Sequence, residues 1–159
     1  MDEMTPRTAV EFAVSVEEMG GRLYAHFSKN PELDSESRAL FARLSADEQV
    51  HQQQFSALLS AVYGRSKPTL NEESMAFRRA DALNEFFGAK GGPFARRDDI
   101  HTSRDALCKA LELERMTLAY YQALREALPN TDALDALIRT EARHVEEVTR
   151  ILGQVVPSA

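Results

Sequence analysis

At 159 residues, 43% hydrophobic and 28% charged, the chain is long enough to bury one core without cross-links. Its formal net charge of −6 argues against an extended nucleic-acid surface, and its single cysteine, Cys108, excludes a disulfide frame, a Cys-rich zinc site and a four-cysteine iron or Fe–S site within the chain. No apolar run approaches the roughly 18–20 residues that cross a bilayer, and "MDEMTPRTAV" lacks the basic and apolar regions of a signal peptide, so the expectation is a cytoplasmic protein with neither membrane nor nucleic acid as partner.

Four helical segments are predicted in a single domain over 1–159. The first, about 5–30, opens at Thr5-Pro6 and carries the stripe Val10, Ala13, Val14, Gly20, Tyr24, Phe27. The second, about 34–64, places Leu40, Phe41, Leu44, Phe55, Leu58, Leu59 and Val62 on one side. A long connection follows, about 65–101, with a flexible "GAKGGP" and a short helix in "ESMAFRRADALNEFF". The third helix, about 102–128, shows Leu107, Leu111, Leu118, Tyr121 and Leu124. The fourth, about 131–155, runs through Leu134, Leu137, Ile138, Val145, Val148, Ile151 and Leu152. Short turns, "NPELD" and "LPNTD", make each pair an antiparallel hairpin. The expected fold is all-α: a four-helix bundle of two helical hairpins joined by a long crossover.

An internal repeat sharpens this reading. "VEEMGGRLY" (Val16–Tyr24) overlays "LERMTLAYY" (Leu113–Tyr121) without a gap, and "DEQVH" (Asp47–His51) overlays "TEARH" (Thr140–His144). Each half reads Glu-x6-Tyr, turn, Glu-x-x-His. Glu17, Glu48, His51, Glu114, Glu141 and His144 all fall within apolar stripes and so point inward. Four buried carboxylates would repel one another or protonate, and bound cations cancel that cost. The midpoint between Glu17 and Glu48/His51 falls in "NPELD", and that between Glu114 and Glu141/His144 falls at Leu128-Pro129, so all six can meet in one layer. Four carboxylates and two imidazoles suit a pair of first-row metals, held by oxygen and nitrogen alone. A Glu-x-x-His pair alone is weak, because it is also an ordinary surface i, i+3 pair; two copies at matching heights are a strong signal.

Around this set, Tyr24 and Tyr121 are core tyrosines whose hydroxyls can hold a carboxylate on a neighbouring helix. Met19 and Met116 read as core packing, and His26 and His101 as surface residues without partners. Asp47, next to Glu48, reads as exposed or as orienting a ligand, and Glu147, one turn beyond His144, as part of a solvated face or as able to approach the site.

At "VEEMGGRLYAHF", "DEQVHQQQF", "LELERMTLAYYQAL" and "EARHVEEV" the chain resembles the rubrerythrin-type branch of the ferritin-like di-iron superfamily. The resemblance implies a ferritin-like bundle in which Glu17, Glu48, His51, Glu114, Glu141 and His144 bind two iron ions, manganese or a mixed pair being the other metal content. It also implies reduction of hydrogen peroxide or oxygen by a ferrous pair, with ferroxidase or iron-storage chemistry as the alternative. With Cys108 alone the chain has no four-cysteine rubredoxin module, so the resemblance implies an external, rubredoxin-like electron donor. Thr117 stands where rubrerythrins often carry an additional Glu, which brings the site nearer to that of bacterioferritin. The tail "VVPSA" is too short for the fifth helix of a bacterioferritin cage, and a homodimer is expected. The motifs are also similar to those of ubiquinone-biosynthesis di-iron hydroxylases, which expect a membrane-facing apolar surface; none is identified here.

Overall fold

Pro6 opens the first helix, where its fixed φ suits the helix and its missing N–H would have had no partner. The computed structural model describes residues 6–63, 99–127 and 132–155, which form an all-α bundle: α1 (Pro6–Ser28), α2 (Ser35–Tyr63), α3 (Ser103–Ala127) and α4 (Asp132–Gln154). Where the flanking residues are described, α1 ends two residues before its predicted limit and α4 one, and α2 and α3 each begin one residue later than predicted. Asp34 caps α2, its Oδ1 accepting the Ser37 N–H at 2.8 Å, and Thr102 caps α3, its Oγ1 accepting the Asp105 N–H at 3.1 Å.

The Asp34 N–H also donates to Ser103 Oγ at 2.8 Å, so the start of α3 lies against the turn between α1 and α2. Helix α2 runs away from that turn for 29 residues, roughly 43 Å at the helical rise. Its last residue and the first of α3 therefore stand at opposite ends of the bundle, as a crossover requires. The predicted short helix and the "GAKGGP" stretch lie outside the described residues. Arg125 Nε meets Asp135 Oδ1 at 2.6 Å, closing the hairpin of α3 and α4 beside its turn.

Two apolar clusters lie on either side of a polar layer. Near the α1–α2 turn are Leu23, Phe27, Leu40, Phe41, Leu107 and Ile151, with Tyr24 stacked on Phe41 at 5.8 Å. Towards the other end are Val10, Ala13, Phe55, Leu124, Leu134 and Leu137, with Tyr121 against Phe55 at 4.8 Å. The buried faces differ in detail from the predicted stripes. Phe12, Val16 and Leu23 are buried on α1, because α1 packs against α2 and α3 at once and needs a wider apolar face than one stripe. On α3, Ala110 and Leu113 take core positions, while Leu111 and Leu118 are only half-buried.

The pair Gly20-Gly21 lets α1 and α2 approach closely. A Cβ at Gly21 would sit 3.4 Å from Glu48 Cβ, and Ser45 Oγ donates to the Gly21 carbonyl at 2.8 Å. That proximity sets the height at which Glu48 enters the core.

Candidate metal centre

The layer between the clusters holds Glu17 from α1, Glu48 and His51 from α2, Glu114 from α3, and Glu141 and His144 from α4. All six are between 0% and 4% exposed. Within this layer one ligand atom from each of Glu48, His51, Glu141 and His144 lies within 4.8 Å of the others. Glu-x-x-His on a helix turns both side chains to one face, and two such helices facing each other bring the rings to 5.4 Å.

The distances divide the layer into two halves with a shared middle. His51 Nδ1 lies 3.6 Å from Glu17 Oε2, 3.1 Å from Glu48 Oε2 and 2.7 Å from Glu141 Oε1. His144 Nδ1 lies 3.8 Å from Glu48 Oε1, 3.5 Å from Glu114 Oε2 and 3.7 Å from Glu141 Oε2. Glu17 thus accompanies His51 and Glu114 accompanies His144, while Glu48 and Glu141 present one oxygen to each imidazole. Both rings turn Nδ1 inward.

Three further side chains hold this set from outside. The Tyr24 hydroxyl of α1 donates to Glu114 Oε1 on α3, and the Tyr121 hydroxyl of α3 donates to Glu17 Oε1 on α1. Each tyrosine rises from one apolar cluster to steady a carboxylate of the opposite hairpin. His144 Nε2 meets Asp47 Oδ2 at 3.2 Å. An N–H donated there fixes the ring and leaves Nδ1 to face the carboxylates.

Residues 9–86 match the rubrerythrin family model, a stretch that contains Glu17, Tyr24, Glu48 and His51. Residues 9–86 are thus similar to a rubrerythrin domain. No curated protein and no solved structure matches it. The match ends before α3, so for the second half of the layer the geometry speaks: Glu114, Glu141 and His144 complete the layer that the matched half begins.

Charge in the layer is self-consistent only when protons or cations balance it. Burial opposes a charged His51, but Glu141 and Glu17 outweigh it and lift the imidazole to about 9. Burial likewise opposes the cation at His144, and Glu114 and Glu141 raise it to about 11. Burial, with Glu17 and Glu141 beside it, pushes Glu48 well up. Burial also raises Glu114, against the pull of His144. Glu141 goes the other way: burial is outweighed by both histidines, and its carboxyl is held low. The raised histidines, Glu48 and Glu114 all favour proton uptake, which offsets the carboxylate charge that divalent cations would otherwise neutralise.

The residues fit a metal. Glu114 Oε2, both oxygens of Glu141 and His144 Nδ1 are buried without a hydrogen-bond partner among the described residues. Glu141 Oε1 is 2.7 Å from His51 Nδ1, yet the two are not aligned as donor and acceptor. Unmet buried oxygen and nitrogen atoms aimed at a common space are what a cation of borderline hardness requires.

The structure decides between the alternatives open for two residues and corrects a third. Asp47 has a side chain 53% exposed, as expected, but it also reaches His144. The signal was its place beside Glu48 on the flank of α2, yet only the packing of α4 against that flank shows which histidine it meets. Glu147 does not approach the site: it pairs with Arg43 at 2.7 Å, linking α4 to α2 at the surface. His101 is exposed but not without a partner, since Nδ1 lies 2.9 Å from Glu32. Thr117 is buried one turn after Glu114.

Proposed function

We propose that the chain is a rubrerythrin-type di-iron oxidoreductase that reduces hydrogen peroxide, with Glu17, Glu48, His51, Glu114, Glu141 and His144 as ligands to two iron ions. The observation that carries this reading is the buried layer in which Glu48 and Glu141 each offer one oxygen to either imidazole, with Glu114, Glu141 and His144 atoms otherwise unpaired. When bound, a ferrous pair supplies one electron from each ion, so that hydrogen peroxide and two protons become two waters.

The chain's own residues do the remaining work. Glu17 with His51, and Glu114 with His144, define two separate positions, and Glu48 and Glu141 span them. Tyr24 and Tyr121 hold the outer oxygens of Glu114 and Glu17 and leave Oε2 of each turned inward. Burial and the neighbouring carboxylates raise both phenols, so they stay protonated and act as fixed donors rather than titrating groups. Apolar clusters at both ends keep bulk water from the layer, which strengthens every charge interaction within it. Electrons return from a donor of rubredoxin kind, since Cys108 alone cannot form a four-cysteine iron site within these residues. Manganese in one or both positions is the alternative content, and a homodimer the proposed assembly.

Ferroxidase or iron handling is the second reading. It is favoured by Thr117, which puts no fifth carboxylate beside Glu114 and leaves the ligand set symmetric. One experiment addresses both: anaerobic reconstitution with ferrous iron, then titration with peroxide and, separately, with oxygen. Two ions per chain oxidised by one equivalent of peroxide is the expected result. Metal content well below two sinks the di-iron assignment; rapid oxidation by oxygen alone moves it to ferroxidase.

A further inference from the structure

The outer side of the α1–α2 hairpin carries a cleft of about 390 Å³. Gly21 and Ala25 of α1 and Gln52 and Gln53 of α2 line it, and so does Glu17. Glu17 is the only buried carboxylate in that lining, so it marks the inner end, and its Oε2 lies 3.6 Å from His51 Nδ1. At the rim Arg22 is neutralised by Glu18 at 2.5 Å. The cleft therefore has Glu17 of the buried layer in its wall, with neutral amides beside it and its one arginine already paired. Its volume exceeds by several times the roughly 30 Å³ that one water occupies in the liquid.

The other hairpin is built differently at the same positions. The internal repeat sets Leu118 opposite Gly21 and Val145 opposite Gln52, and both are half-buried apolar side chains. Where one hairpin has a missing side chain and an amide, its counterpart has two aliphatic groups.

We propose that this cleft is the port through which a hydrated divalent metal ion reaches the buried layer. The Gln52 and Gln53 amide oxygens replace part of its water shell, and Glu17 is the first buried ligand it meets. The proposal rests on the metal-binding reading above and adds to it a direction: loading runs through the α1–α2 side.

The test uses the metal-free full chain and Co²⁺ alone, with visible absorption followed by stopped flow. Ala25→Trp fills the cleft; Gln122→Trp places the same bulk at the equivalent exposed position of the other hairpin. Ala25→Trp should take up Co²⁺ roughly tenfold more slowly, about 1.4 kcal/mol on the barrier, with the final stoichiometry unchanged. Gln122→Trp should load at the wild-type rate. Should Ala25→Trp fail to fold, Gln53→Trp on the opposite wall makes the same prediction. Wild-type loading rates in the plugged variant, or equal slowing by Gln122→Trp, overturn the port. Absence of Co²⁺ binding by the wild-type chain overturns instead the metal reading on which the port depends.

Discussion

Hairpin α1–α2 and hairpin α3–α4 each bring a Glu, a Glu-x-x-His pair and a tyrosine to the same layer, and the two tyrosines exchange partners across the bundle. Outside that set the hairpins part company. Asp47 of α2 reaches His144, whereas its counterpart Thr140 turns its hydroxyl to the Ala136 carbonyl at 3.2 Å. Gly20-Gly21 lets α1 lie close on α2, where α3 has Thr117 and Leu118. Symmetry is kept in the six side chains proposed as metal ligands. It is dropped in the groups that orient them and along the proposed route from solvent. The two metal positions should therefore be alike in ligands and unlike in affinity and rate of filling.

The largest expected effect breaks the shared middle. Glu141 faces both imidazoles, so Glu141→Ala should empty both positions, while Glu17→Ala, which touches one half, should leave about one ion per chain. Metal analysis after anaerobic iron reconstitution checks this; equal losses in the two variants would mean that the halves are not separate.

Acidity separates the two histidines in the metal-free chain. Both are raised above the ordinary imidazole value near 6.5, so each contributes stability that is complete below about pH 6.5 and is lost as pH rises. The loss from His51 should end near pH 9 and that from His144 near pH 11. The raised Glu48 and Glu114 add the same sign, beginning nearer pH 4.5. Thermal melting of the metal-free chain should therefore fall between pH 6.5 and 9, and bound metal, which needs the imidazoles neutral, should bind more tightly over that interval. A melting temperature that rises across this window would contradict the carboxylate surroundings assigned to the histidines.

A smaller effect isolates the orienting carboxylate. Asp47→Asn should weaken metal binding roughly 10–100-fold at one of the two positions and leave the other unchanged, read as a split in a competitive Co²⁺ titration. Uniform weakening of both positions would mean that Asp47 acts through overall charge rather than through His144. The smallest effect belongs to the tyrosines. Tyr24→Phe and Tyr121→Phe should each cost the metal-free chain about 1 kcal/mol in urea unfolding, and by similar amounts, because their partners are related by the repeat. Unequal costs would show that the hairpins differ even where the repeat pairs them.

Much of this layer was legible before any coordinates. Six polar residues repeated within apolar stripes, at equal distances from two turns, leave few places to be other than one buried layer. That the tyrosines could hold carboxylates on a neighbouring helix was also legible; which carboxylate each one meets came only from the packing. What could not be read was lateral: which flank of α2 faces α4. Hydrophobic spacing fixes the inward direction of a helix but says little about neighbours at its edges. Asp47 and Glu147 both sit on such edges, where two roles were open to each, and only the packing decides that the first reaches a histidine and the second pairs with Arg43 at the surface. The stripe of α3 drifted for a related reason: Ala110, small enough to look neutral in sequence, is buried where helices come close, while the larger Leu111 remains half-buried.

The most direct test of two half-sites sharing Glu48 and Glu141 is a crystal structure of the iron-loaded chain with anomalous scattering recorded at the iron edge. Two iron peaks should lie in the buried layer, one beside His51 and Glu17 and one beside His144 and Glu114, with Glu48 and Glu141 reaching both. A single peak, or iron bound only outside this layer, would contradict the account.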